Sequence, residues 1–161
     1  MIVRSLLQKI QALALQERSS SKLALSCATG IFIAFSPFMG FHTVMTFLFS
    51  WLMGLNLAAT FAVSCLVNNP WTMIPIYSAD YFFGQMIMTG FFKVDTISLN
   101  PLWMNWVNDL LAKYCGVSEI SFWSFMIGGN ILGLILACIV YPVFKLIFER
   151  VGRRAVSAQE T

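Results

Sequence analysis

LALSCATGIFIAFSPFMGFHTVMTFLFSWLMGLNLAATFAVSCLVNNPWTMIPIYSADYFFGQMIMTGFF, residues 23–92, contains one charged side chain, Asp80, and one histidine, His42. Phe, Leu, Met, Val and Trp fill much of the rest. A run this long and this apolar exceeds what a small soluble core can bury. Lipid is its expected solvent, and its backbone is expected to be helical. The run is punctuated at Ser36-Pro37, at Gly54 and at Asn68-Asn69-Pro70. Proline has no N–H to donate and restricts the residue before it, so helices end or kink at such points. Segments 23–35, 41–53 and 55–67 fall short of the ~20 residues that a bilayer crossing needs. Short helices joined at Pro, Gly and Asn predict re-entrant or discontinuous membrane helices, with short complete crossings as the alternative. Segment 71–90 is long enough to cross, with an irregular first turn expected around Pro75.

The remainder of the chain agrees. Of 161 residues, 58% are hydrophobic and 11% charged, with a mean hydropathy of +0.77. Globular domains carry roughly 25% charged residues, so depletion of charge excludes an ordinary soluble enzyme. Arg4, Lys9, Arg18 and Lys22 precede the apolar run; Lys145, Arg150, Arg153 and Arg154 close the chain; Lys93 and Lys113 alone lie between. The positive-inside rule places both termini in the cytoplasm and segment 93–119 on the other side. The Arg150–Arg154 cluster reads as a cytoplasmic flank, and no nucleic-acid partner is expected.

In segment 1–18, Ile2, Val3, Leu6, Leu7, Ile10, Leu13 and Ala14 share one face, predicting an amphipathic helix on the cytoplasmic leaflet. Ser19, Ser20 and Ser21 offer an N-cap for a helix beginning near Lys22. In 93–119, Asn100-Pro101 predicts a cap and a first-position proline. Leu102, Trp103, Trp106, Val107, Leu110, Leu111 and Tyr114 then form the apolar face of an interfacial helix, with Asn105, Asn108, Asp109 and Lys113 opposite. Segment 120–148 is a transmembrane helix in which Gly128, Gly129 and Gly133 permit close helix contact. Segment 149–161 is a basic tail. The expected fold class is all-α: a polytopic integral membrane protein with short broken or re-entrant helices over 22–92, plus amphipathic interfacial helices.

Cys27, Cys65, Cys115 and Cys138 lack metal-ligand spacing. No hydrolase, zinc-protease or nucleotide-binding motif occurs, so neither a cofactor nor a metal is expected. A charge at bilayer depth costs about 2.5–3.5 kcal/mol on insertion scales, which makes His42 and Asp80 functional candidates. They suit a proton-linked pair or a polar headgroup site. Alternatively His42 satisfies a carbonyl exposed by Pro37, and Asp80 sits near an interface. Asn68, Asn69 and Thr72 surround Pro70, where a broken helix frees N–H groups and presents the positive end of the next helix to a phosphate or carboxylate. Plain capping of the helix ends by the two asparagines is the competing explanation. Tyr77 would add a further hydrogen bond.

The pattern Gly30…Pro37-x-x-Gly40-x-His42…Asn56…Asn69-Pro70-x-Thr72-x-x-Pro75-x-Tyr77-x-x-x-Tyr81-x-x-Gly84 resembles the bacterial membrane proteins grouped as domain of unknown function 2062 (DUF2062), over residues 5–148. The resemblance implies a bacterial inner-membrane location. Some relatives look like fusions to glycosyltransferase domains, which points to envelope glycan or lipid-carrier metabolism. The expected function is a carrier that binds and translocates a lipid-linked or anionic small molecule, such as a polyprenyl phosphate or phospholipid. Asn69, Thr72, Tyr77, His42, Asp80 and Asn68 are its expected binding residues, and a homo-oligomer joined through Gly129 and Gly133 its expected form. A non-transporting anchor of an envelope glycosyltransferase and a small channel are the alternatives.

Overall fold

Residues 19–38, 40–93, 99–115 and 120–157 are described by this computed structural model, and every regular element among them is a helix. They are α1 (Ser20–Phe35), α2 (His42–Met53), α3 (Leu57–Val67), α4 (Met73–Gln85), a π-helical turn (Met86–Phe91), α5 (Leu102–Cys115) and α6 (Phe122–Ser157). Among the described residues one segment, Phe122–Gly152 of α6, is long and apolar enough to cross a membrane; α1, α2 and α3 are apolar but shorter. The amphipathic segment expected over 1–18 lies outside the described residues.

The local chemistry explains most boundaries. The Ser19 hydroxyl accepts the Lys22 N–H at 3.4 Å and caps α1, which ends at Phe35, two residues before Pro37. Gly54 ends α2 in the left-handed region, φ +60°, with its N–H bonded to the Ser50 carbonyl. That conformation costs glycine least. Asn56 opens α3, its Oδ1 accepting the Ala59 N–H at 3.0 Å. Pro75 is the third residue of α4, where its missing N–H breaks no helical bond. The wider turn after Gln85 closes with the Phe92 N–H on the Ile87 carbonyl at 3.1 Å.

Three expectations need correction. The last helix does not stop at 148 but runs through the basic cluster to Ser157. Arg, Glu and Ala are good helix formers, and one Gly152 does not outweigh them. Asn100 does not cap α5 either. Its carboxamide accepts the Phe122 N–H at 2.8 Å and donates to the Ile120 carbonyl at 2.9 Å. Asn108, expected on the solvated face, exchanges a bond pair with Ile120: Nδ2 to its carbonyl at 3.3 Å, and Oδ1 from its N–H at 3.2 Å. The start of α6 needs these partners because the first amides of any helix have none within it.

The chain divides into two compact units. The first holds α1, α2, α3 and the α6 residues from Leu134 onward. Its core is Leu23, Ala24, Cys27, Ala59 and Phe148, joined by Val63, Tyr141 and Phe144. Ser26, Thr29, Thr46, Ser50, Thr60 and Ser64 are buried, while Phe47, Leu52, Leu66 and the 80% exposed Trp51 face outward. Three of these hydroxyls are returned to the backbone one turn earlier, whereas Ser50 Oγ has no partner among the described residues. Ser26 donates to Lys22, Thr46 to His42 and Thr60 to Asn56, each to the carbonyl four residues back at 2.7–3.0 Å. Ser26 also accepts the Asn56 N–H at 2.9 Å, which ties α3 to α1.

The second unit comprises residues 35–37, α4, the π turn, α5 and α6 up to Gly133. Here α4 and α6 touch backbone to backbone. A Cβ on Gly84 would fall on the Ser124 carbonyl, and one on Gly128 on the Asp80 carbonyl. The Ser124 hydroxyl donates to Gln85 Oε1 at 2.8 Å across the same crossing. Gly129 and Gly133 are both buried within the chain, so they do not offer the exposed face that an oligomer contact requires.

Candidate functional site

Asp80 is the centre of the second unit. It lies in the interior of α4, fully buried at 0% exposure. Neither carboxyl oxygen has a hydrogen-bond partner among the described residues. Its surroundings follow from α6. Gly129 has no side chain, and a Cβ there would meet the Phe35 carbonyl oxygen at 2.5 Å, Pro37 Cδ at 3.1 Å and Asp80 Cγ at 3.3 Å. The carboxyl thus lies near the place where α1 ends, and only the absence of a side chain at 129 allows that approach. Ser36, in that break, is also fully buried. A buried carboxyl without a donor is costly, and such groups call for a functional explanation.

The second break, 68–72, is built by its own side chains. Asn69 Oδ1 accepts the N–H groups of Trp71 at 2.9 Å and Thr72 at 3.2 Å. The Asn69 carbonyl accepts the Thr72 and Met73 N–H groups at 3.0 and 2.8 Å, and the Thr72 hydroxyl accepts the Asn69 N–H at 3.0 Å. The amides expected to meet an anion are thus engaged by Asn69. Beside this turn, Asn68 Nδ2 donates to the Tyr77 hydroxyl at 3.0 Å. The Tyr77 ring stands edge-on to Phe125, centroids 5.3 Å apart. As an acceptor from Asn68, the Tyr77 hydroxyl keeps its own proton to donate.

Of the residues singled out in the sequence, Asn68, Asn69, Thr72, Tyr77 and Asp80 fall in the second unit. His42 belongs to the first, half-buried at the start of α2, where its carbonyl receives the Thr46 hydroxyl.

The sequence reading missed three features. One is the partnership of Asp80 with Gly129 and the Phe35 carbonyl. Another is the pair of asparagines that hold the start of α6. The third is a cavity of about 500 Å³ in the first unit, lined among others by Leu25, Thr29, Phe32, Phe49, Leu134 and Tyr141. Phe32 and Phe49 meet edge-on in its wall, centroids 5.8 Å apart. The apolar residues of α1 and α2 were visible as a signal, but not which of them surround a space.

A family model described as an uncharacterized protein conserved in bacteria (DUF2062) matches residues 3–157. No curated protein and no solved structure matches the chain.

Proposed function

The chain belongs to this bacterial family, DUF2062, and from that premise we propose that it is a polytopic inner-membrane carrier of a lipid-linked or anionic small molecule. The observation that carries the reading is the apolar cavity in the first unit. Its volume of about 500 Å³ lies in the range of small-molecule sites. Its wall is almost wholly apolar, which suits an acyl or isoprenoid chain and not a sugar or nucleotide.

The polarity of the helices supports a lipid setting. Buried Ser, Thr, Gly and Ala with outward Phe, Trp and Leu is the reverse of a water-soluble bundle, and small residues at contacts are how helices pack in bilayers. Within this proposal both basic ends are cytoplasmic and α1, α2 and α3 enter without complete crossings. In the second unit, Tyr77 and Asn68 offer polar contacts of their own. Asn69 and Thr72 hold the break that presents them. Asp80, a buried acid, couples occupancy to the uptake of one positive charge.

Native mass spectrometry of protein extracted gently from its own membrane tests the carrier. The wild type is expected to retain a discrete phosphate-bearing lipid. Ala137→Phe, which fills the cavity from α6, reduces that adduct about tenfold, or ~1.4 kcal/mol of binding, while the variant stays monodisperse. Tyr77→Phe weakens retention less. A wild-type protein without a specific lipid, or an Ala137→Phe variant that keeps it, removes the carrier reading. A co-purifying glycosyltransferase in place of lipid would favour the anchor, whose natural contact is the exposed Trp103 and Trp106 of α5.

A further inference from the structure

We propose that Asp80, the Phe35 carbonyl and the break at Ser36-Pro37 form a binding site for a monovalent metal cation, Na⁺ being the best fit. The inference deepens the carrier reading by naming its coupling ion, although the binding itself is independent of any cargo.

Two independent observations meet at one point. The first is a fully buried carboxyl with no hydrogen-bond partner among the described residues. The second is the end of α1, whose last carbonyl and whose proline lie against the same Gly129 position as the Asp80 carboxyl. A helix C-terminus carries partial negative charge. Adding a carboxylate there makes a region of oxygen atoms and negative potential, with no ion pair to Asp80 among the described residues. Segments 35–37, 68–92 and 122–133, which supply the residues recorded against Asp80 and Gly129, contain no Lys, Arg or His and no acid other than Asp80; the described charged residues elsewhere in the unit are Lys93, Asp109 and Lys113. Tyr77 and Tyr81 on α4 are the other titratable side chains there.

The charge count selects the ligand. One carboxylate in a low-dielectric interior is neutralised by one positive charge, whereas a divalent ion would leave a buried excess. The donors are oxygen atoms throughout, which suits a hard cation and excludes thiolate-seeking metals. A proton would neutralise Asp80 and give its O–H a single acceptor, the Phe35 carbonyl at most. A cation draws on the carboxylate, the Phe35 carbonyl and the buried Ser36 hydroxyl together. Ends of interrupted helices coordinate coupling ions in membrane transporters in this manner. Gly129 fits the same account, since only a residue without a side chain lets the Phe35 carbonyl and the Asp80 carboxyl approach the same point of α6.

The test uses the full chain, purified in detergent, with NaCl titrated against choline chloride at constant ionic strength. Bound ²²Na⁺ and the thermal unfolding midpoint are the readouts. The expected result is saturable binding of one Na⁺ per chain, with a midpoint that rises with Na⁺ by mass action. Asp80→Asn, nearly isosteric, keeps the monodisperse elution profile and loses both responses. Ser36→Ala keeps the fold and binds more weakly. The proposal is overturned if wild type shows no saturable Na⁺ binding up to about 100 mM, a range where mass action would reveal it. It is equally overturned if Asp80→Asn binds as wild type does, or if stability follows pH alone at every Na⁺ concentration. No cargo enters these measurements, so their failure strikes the cation site, while loss of the lipid adduct strikes the carrier.

Discussion

Gly128→Leu abolishes the native fold, whereas Gly90→Leu leaves it intact. The contrast rests on what each new side chain would meet. At Gly128 a Cβ alone falls on the Asp80 carbonyl, with the Gly84 amide 2.7 Å away, so the obstacle is backbone and cannot rotate aside. At Gly90 nothing lies within 4 Å. Overpacking a tight contact costs about 1–3 kcal/mol and more when no side chain can give way, and here α4 and α6 must separate. Separation also exposes Asp80 and parts the Ser124–Gln85 hydrogen bond. Fluorescence-detected size exclusion and the thermal midpoint check the prediction. A Gly128→Leu protein that elutes as wild type and melts within a degree or two of it would show that this crossing is not needed.

Asn100→Ala and Asn108→Ala release the start of α6. Each single change strands groups that the other asparagine does not fully serve: Phe122 loses its acceptor in one, and the Ile120 N–H in the other. An unsatisfied, partly buried backbone group costs about 1–3 kcal/mol. In the double variant the Ile120 carbonyl loses both of its side-chain donors. The combined loss is therefore expected to exceed the sum of the single losses, as for residues of one network. Hydrogen exchange at the Ile120 and Phe122 amides reports it directly, with faster exchange of Phe122 in Asn100→Ala and of both in the double variant. Wild-type protection in the double variant would mean that α6 holds its first turn alone.

Much of the backbone plan was readable beforehand. Ser19, Pro37, Gly54, Asn69 and Pro70 stop or start helices through interactions with residues a few positions away, so their meaning is local. The extent of α6 was less clear because its basic end departs from the apolar pattern while keeping good helix formers. Asn100 departs from its local pattern for a different reason. Beside Pro101 it has the form of a cap, yet its carboxamide serves residues some twenty positions later. No local rule reports a contact at that distance.

The candidate site divides along the same line. The sequence by itself determined that this is an all-helical, charge-poor chain of the DUF2062 family, with helix breaks at Ser36-Pro37 and Asn68-Pro70 and one acid, Asp80, in the long apolar run. Those properties follow from composition and from short-range backbone chemistry. Only the tertiary structure decided that Asn69 engages the amides after Pro70, that Gly128 and Gly129 are used inside the chain, and that Asp80 faces the end of α1. It also decided that the apolar helices of the first unit leave a cavity between them. These are matters of which helix faces meet. A helix face is chosen by packing against distant segments, and in a chain apolar on nearly every side the hydrophobic pattern carries little information about which face that is.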